Sequence, residues 1–430
     1  MFSAFQTFGK LGALASSVAR AWTPTTLFSA GEAGGLWDFS TLANLYQDSA
    51  GTTPCTAVGD PIGKVLDTSG RGNHLTQATS TKRPVLGRMP ATGVRNLLTY
   101  TEDFSNDAWT KFGGTTVAQG ATAPDGTATA WTVTFPNGSA GSQIWQSLSL
   151  PAGTQSLYMR ASNPHNVTLG AYSDGGAGQV LCAVTTNWTR FSFSNTALSG
   201  ADRRALWIYS GYAGEIIEVW HPQAELGSTA TAYQKVGAAY DVTESGVASV
   251  YTAYFDGVDD CLVSPSIDFS GTDKMTVFAG ARKVDDTVRL VAELSENFNS
   301  NVGSYCVLSG EAGSTGWFSG ARGSLGPSYG SIAYSTIVGP DTAVLSISHD
   351  IPGDLSTIRR NGVAGTSGTA DKGTGNFGNY PFYVGQRGAV SLPYKGFISA
   401  LCTRGAATDA ALVTSMEKWM AARTPGVTLP

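Results

Sequence analysis

Cleaving a glycosidic bond takes two carboxyl groups facing each other across a groove, about 5–10 Å apart. The chain offers two pairs at short spacing, Glu293 with Glu296 and Glu215 with Glu218. Neither shows the alternating pattern by which a strand presents both groups on one face. Glu293-Leu294-Ser295-Glu296 reads instead as a strand end entering a polar loop. The histidines His74, His165, His221 and His349 stand far apart, and none sits in H-E-x-x-H or another metal spacing. His349-Asp350 has residue types that a Ser/His/Asp site uses, but no G-x-S-x-G elbow supplies the nucleophile. Five cysteines, Cys55, Cys182, Cys261, Cys306 and Cys402, are scattered without a C-x-x-C pair. That pattern speaks against a zinc site and a disulfide framework and for small buried side chains in a reducing compartment. Gly-rich stretches lack the strand–helix unit that cradles phosphate.

Recognition chemistry is better supplied. Carbohydrate binding needs aromatic faces to stack on sugar C–H groups, with polar neighbours for the hydroxyls. Residues 96–236 hold Trp109, Trp131, Trp145, Tyr158, Tyr172, Trp188, Trp207, Tyr209, Tyr212 and Trp220. Most aromatics on strands belong to the core. Tyr172, Tyr209 and Tyr212 lie beside Gly, Ser and Asp turns and are expected at the surface. Trp317, Phe318, Tyr329 and Tyr334 lie in a Gly/Ser-rich stretch, 310–339, that would present a loop surface. The candidate sugar contacts are therefore Tyr172, Tyr209, Tyr212, Trp317 and Tyr329.

Those residues must be positioned by strands. The 430 residues suffice for two or three domains, and 42% hydrophobic content allows packed cores. Charged residues make up 14%, well below the roughly 25% usual in soluble domains. The 53 glycines suit many short strands joined by tight turns. A net charge of −5 without a Lys/Arg-rich run excludes a basic footprint for nucleic acid and electrostatic attachment to anionic membranes. No apolar run approaches the roughly 20 residues that span a bilayer. Strands are expected at 130–135, 143–148, 155–161, 167–171, 188–193 and 205–209, then at 275–281, 288–294 and 343–348. Asn361-Gly362 is the strongest hairpin signal, since both residues accept positive φ. A C-terminal helix is expected, capped by Thr408 or Asp409, lined by Leu412, Met416, Trp419 and Met420, and stopped by Pro425-Gly426. At the other end Phe2, Phe5, Phe8, Leu11, Leu14, Val18 and Trp22 recur at spacings of three and four, an amphipathic helix weakened by Gly9 and Gly12. Ala19-Arg20-Ala21 offers a signal-peptide cleavage site, but the aromatic-rich start favours a retained anchor to a partner or sister subunit.

Two segments read as halves of one domain. The first, Leu36 to Arg88, contains Asp67-Thr68-Ser69-Gly70-Arg71-Gly72-Asn73-His74, and the second opens with Tyr254-Phe255-Asp256-Gly257-Val258-Asp259-Asp260. Together they resemble a laminin-G-like (concanavalin A-like) sandwich of the kind common in bacteriophage structural proteins. The block between opens with Asn96-Leu97-Leu98 and Ala108-Trp109-Thr110 and closes with Ala224-Glu225-Leu226-Gly227. It resembles the carbohydrate-binding-module-like jelly roll of many phage tail and virion proteins. The resemblance implies an all-β chain: an anchor helix and linker (1–29), a first sandwich part (30–95), an inserted jelly roll (96–237), and a second sandwich part with the C-terminal helix (238–430). Both folds often hold a structural calcium, which places the acidic candidates at Glu102 and Glu225 or at Asp67 and Asp256. No contiguous motif supplies the six to eight oxygens calcium takes, and no other cofactor is implied. The expected role is a non-catalytic virion protein, a homo-oligomer held to other virion proteins by its N-terminal segment and attached to host-surface glycans. The alternatives are a purely structural decoration protein and, behind it, a polysaccharide depolymerase.

Overall fold

A computed structural model describes residues 22–430 except 139, 175, 312, 327 and 333–336, with backbone alone at 177 and 328–332. The described residues are all-β apart from one α-helix and short 3-10 turns. An eight-stranded and a nine-stranded antiparallel sheet are built from residues 34–90 and 249–404. Chain segments far apart in sequence pair in register: Ser249–Asp256 runs along Val85–Pro90, with Ala253 opposite Leu86. Between the sheets lies one apolar core that includes Trp37, Phe255, Tyr305, Trp317, Phe382 and Tyr394. Trp37 and Phe382 stack there with ring centroids 5.1 Å apart.

The Asp67 turn closes this sandwich on its first strand, Gly34–Asp38. Asp67 accepts the backbone N–H of Leu36, Ser69 and Asn73 at 2.9, 2.8 and 2.9 Å. Its own N–H donates to His74 Nδ1 at 2.9 Å, and the Trp37 indole donates to Asn73 O at 2.8 Å. Gly70 and Gly72 turn the chain at φ of 86° and 78°, which side-chain-bearing residues rarely adopt.

Residues 98–224 build a separate core from two five-stranded sheets. One, the Tyr158 sheet, runs Thr189–Asn195, Gly153–Arg160, Glu215–Leu226, Ala130–Phe135, Thr116–Ala121. The other, the Tyr209 sheet, runs Gly176–Val184, His165–Ser173, Arg204–Ser210, Gln143–Gln146, Trp109–Phe112. The ends of this segment meet. Arg95 N–H donates to Gln234 Oε1 at 2.7 Å, the Asn96 amide donates to Gln234 O at 2.8 Å, and Arg95 pairs with Glu244 at 2.7 Å. A short hairpin, Gln234–Val236 with Val242–Glu244, lies where the two sandwiches join.

Asp409 caps the C-terminal helix, Ala410–Ala421, by accepting the Leu412 N–H at 2.9 Å. Met416 and Met420 face inward against Phe278, Val344 and Cys402 on the eight-stranded sheet. Asn361 and Gly362 turn the expected hairpin at φ of 49° and 80°. The segment expected as a linker from Thr23 is instead packed: Pro24–Phe28 forms a 3-10 turn with Leu27 and Phe28 buried. Phe2, Phe5, Phe8, Leu11, Leu14 and Val18 lie outside the described residues. Trp22 packs half-buried against the helix cluster.

Candidate functional site

Along His165–Ser173, Val167, Leu169 and Ala171 enter the core. Thr168, Gly170 and Tyr172 therefore point outward, because strand side chains alternate. On Arg204–Ser210, Ala205 and Ile208 go inward and Trp207 and Tyr209 outward, with a register shift between Ala205 and Ile208 that also brings Arg204 out. Gln143 and Trp145 flank the inward Ile144. The outer face of the Tyr209 sheet is thus two rows. Phe112, Gln143, Tyr209, Thr168 and Leu181 sit directly opposite one another across all five strands. Beside them run Trp145, Trp207, Gly170 and Gln179.

The rings support one another. Trp207 lies 4.7 Å from Tyr209 and 5.9 Å from Tyr172 between centroids. The Arg204 guanidinium lies over Trp145, Tyr172 and Trp207, at 4.7, 5.0 and 5.6 Å from their centroids. Each of its three nitrogens is engaged: it donates to Gln143 Oε1 at 2.7 Å and to both Asp202 oxygens, at 3.0 and 2.7 Å. Asp202, its carboxyl held below the usual range by those bonds, stays ionised. Gln143 Oε1 also takes the Trp207 indole N–H at 2.8 Å, and the Tyr209 hydroxyl donates to Gln179 Oε1 at 3.0 Å. Trp145 and Trp207 are each only 8% exposed beneath Arg204, whereas Phe112 and Leu181 at the ends of the first row are 54% and 64% exposed. Gly170 keeps the centre low, since a Cβ there would stand 2.9 Å from Gly178 O and 3.3 Å from the Trp207 ring.

The structure therefore brings Tyr172 and Tyr209 together on one face. Tyr212 lies beyond the end of that strand, 68% exposed. Sequence reasoning passed over Trp145, Trp207, Gln143 and Arg204, the tryptophans because strand aromatics usually fill cores. An alternation signal was there, as Gln143 and Trp145 bracket the apolar Ile144. Trp317 is corrected: the stretch expected as a loop contains strands Trp317–Arg322 and Ser328–Ile332, and Trp317 is fully buried with its indole donating to Asp341 at 2.7 Å. Phe318 is buried too, and Tyr329 is described by its strand backbone only.

The acidic candidates for calcium mostly serve as hydrogen-bond acceptors within the protein. Asp67 holds three N–H groups, and Glu225 accepts from Gln223 Nε2 at 2.7 Å and from Thr231 N–H and hydroxyl at 2.8 and 2.6 Å. Glu102 takes the Tyr233 hydroxyl. Asp256 differs, lying with Asp259 and Asp260 so that one oxygen of each falls within 4.8 Å of the others. Three carboxylates supply about half of the roughly six to eight oxygens a calcium takes. One Asp256 oxygen already accepts the Val258 N–H, and one Asp260 oxygen accepts the Asp256 N–H.

The carboxylates tested for acid–base chemistry are also engaged. Glu293 is buried against Arg387 at 2.8 Å, Glu218 pairs with Arg160 at 2.5 Å, and Glu215 lies 3.0 Å from His165 Nδ1. His349 sits in the outer core between Ser319 Oγ at 3.0 Å and Ser356 Oγ at 2.9 Å, and burial pushes its pKa down to about 3. Asp350 turns away to Lys274 at 2.8 Å.

No protein-family model and no curated protein matches the chain. Among solved structures it is similar to the CBM40 of a Ruminococcus gnavus IT-sialidase bound to alpha2,3 sialyllactose, at 13% identity over 38% of this chain and 95% of that one, TM-score 0.29. It is also similar to a K499G mutant of the NanB sialidase from Streptococcus pneumoniae, at 15% over 38% and 27%, TM-score 0.29. A third is Domain 4 of AbnA, a GH43 extracellular arabinanase from Geobacillus stearothermophilus in complex with arabinotriose, at 16% over 44% and 83%, TM-score 0.26.

Proposed function

We propose that the protein is a surface-displayed, glycan-binding β-sandwich protein, and that a neutral glycan chain lies across the outer face of the Tyr209 sheet. The observation that carries this reading is the placement of aromatic rings and amide side chains on the outside of a sheet whose inner face is already well packed. Ring faces suit sugar C–H groups, and Gln143, Gln179, Thr168 and the tyrosine hydroxyls suit sugar hydroxyls. Five strands spaced about 4.8 Å apart give a track of roughly 19 Å, room for several sugar rings. Neutral sugars are favoured because the Arg204 edge is already bonded and Asp202 and Asp174 stand at the rim, where an acidic sugar would meet like charge.

The wider role in this reading is a non-catalytic component of a virion, assembled in the host cytoplasm, with an N-terminal anchor to other virion proteins and self-association. Its support is the charge-poor, Gly-rich composition and the paired sandwich motifs. Many copies would turn weak single contacts into firm attachment. The test is affinity electrophoresis through gels containing neutral polysaccharides, a uronate-rich one and host-surface polysaccharide, beside antibody labelling of purified particles. The wild-type chain should be retarded by a neutral polymer, and a Tyr172→Ala/Tyr209→Ala double variant should run free. Unretarded migration of the wild type in every gel would sink glycan binding and leave the structural decoration role. Absence of label on particles would sink the virion role.

A further inference from the structure

The geometry points to a second, separate binding site at the junction of the two sandwiches, where Glu102, His221, Tyr233, Lys235, Thr243 and Ser245 form a pocket for a single neutral sugar ring. The cavity has a volume of about 280 Å³. That is just below the range usual for ligand pockets, roughly 300–1,000 Å³, so it takes one ring rather than a chain. Its walls come from two bodies: Glu102 and His221 from the inserted sandwich, and Lys235, Thr243 and Ser245 from the junction hairpin and the turn after it.

Three independent features mark it as built. First, His221 is a non-glycine residue at φ 53°, placed there by a bulge in Glu215–Leu226, where the register jumps from Tyr158 opposite Trp220 to Ser156 opposite Gln223. Bulges and left-handed side-chain-bearing residues re-aim side chains and collect at functional sites. Second, the His221 ring is clamped between Trp220 and Tyr233, with centroids 3.2 and 3.7 Å away and planes within 17° and 13°. The stack makes a rigid apolar wall. Third, the polar groups at the mouth are complementary and underused. The Lys235 ammonium makes no hydrogen bond or ion pair among the described residues, and the Glu102 carboxyl accepts only the Tyr233 hydroxyl, with His221 Nε2 at 3.7 Å. An acceptor facing a donor suits neighbouring sugar hydroxyls, one donating to Glu102 and the next accepting from Lys235.

Charge within the wall does not compete. Burial pushes the His221 pKa to about 3, with Arg190 and Lys235 adding to that and Asp125 opposing it, so the ring is neutral at ordinary pH. Glu244, which also borders the pocket, is tied to Arg95 and Gln234.

The site does not depend on the Tyr209 face, and the test separates them. The full chain is titrated with glucose, galactose, mannose and N-acetylglucosamine, with free glycine and betaine as zwitterion controls, followed by NMR line shifts and by melting temperature. One of the four sugars should bind with a Kd of order millimolar, as expected of a single small ligand. Lys235→Ala should weaken it roughly tenfold or more, the usual cost of losing a charged hydrogen bond. Ser245→Trp, an exposed position, should block it, and Tyr209→Ala should leave it unchanged. No response to any sugar, loss of response in Tyr209→Ala, or a response to glycine or betaine alone would each overturn the proposal.

Discussion

The two sandwiches use their large aromatic residues in opposite ways. In the outer one Trp37, Tyr305, Trp317 and Tyr394 are wholly buried, and the first three direct their polar atoms to Asn73, Thr403 and Asp341. In the inserted one Trp109, Phe104 and Trp131 fill the core, while Trp145, Trp207, Tyr209, Tyr172, Tyr158, Trp188 and Trp220 line the outer faces of the sheets. Rings under a sheet hold it together, and rings on top of it meet solvent or ligand. In the proposed reading, recognition falls to the insert and mechanical support to the frame that carries it.

Removing the insert is the largest break. Replacing 96–236 by a short Gly/Ser linker should abolish polysaccharide retention entirely and still leave a cooperatively unfolding outer sandwich. The close ends at Arg95 and Gln234 allow such a bridge, and the two cores share no residue. Circular dichroism and thermal melting check it, and an insoluble or non-cooperative product would show that the frame depends on its insert.

Within the frame, Trp317→Ala should destabilise by about 3–5 kcal/mol, the usual range for truncating a buried tryptophan. It also removes one donor to Asp341, which keeps its pairing with Arg360, and the ring that lies 5.8 Å from the buried Lys283 ammonium. Tyr209→Ala should cost less than about 1 kcal/mol of stability, since it sits on an outer face, yet remove most retention. Urea unfolding read beside electrophoresis makes the comparison. Equal stability losses would blur the division of labour.

How much of this was legible beforehand follows from where the determinants lie. Local signals carried far: Asn361-Gly362, the Asp409 cap and the Asp67–Ser69 bond within the Asp67 turn all act within a few residues of themselves. Trp317 was misplaced because flanking glycines and serines look like a loop, whereas here they line a strand paired with Ser304–Leu308 on one side and Ser328–Ile332 on the other. Trp207 was missed for the converse reason. Its outward direction depends on a bulge, and its cover, Arg204, is set by cross-strand register that no short window contains.

Acidity probes the frame by a different route. Burial, then the nearby Asp256 and Asp259 charges, raise the Asp260 pKa to about 7. The folded carboxyl therefore holds its proton in a window where the unfolded one has lost it. Stability from this group falls as pH rises from about 4 to about 7, by at most roughly 4 kcal/mol. His349 and His221, both lowered to about 3, act with opposite sign: the unfolded imidazoles take protons below about 6.5, so stability falls as pH drops. Asp260→Asn keeps an acceptor for the Asp256 N–H and should leave only the histidine slope, visible as a melting temperature that rises steadily from pH 4.5 to 7. An unchanged profile would mean Asp260 titrates normally.

A smaller effect is expected of Gly170→Ala. Its Cβ would press on Gly178 O and the Trp207 ring, at about 1–2 kcal/mol by the general cost of overpacking. Tilting Trp207 should weaken retention by severalfold, so stability and binding fall together at this one position.

Tyr212 tests where the face ends. It was grouped with Tyr172 and Tyr209 because all three flank small turn residues, yet its ring stands 68% exposed past Ser210, with no neighbouring ring among the described contacts. Tyr212→Ala should therefore change stability by less than about 0.5 kcal/mol, as surface substitutions do. If glycan contact is confined to rings braced by Arg204 and Trp207, retention should stay within about twofold of wild type, because an unbraced side chain loses rotamer freedom on binding at about 0.5–1.5 kcal/mol. A loss as large as that of Tyr209→Ala would extend the face around the strand end and show that bracing is not what selects the binding rings.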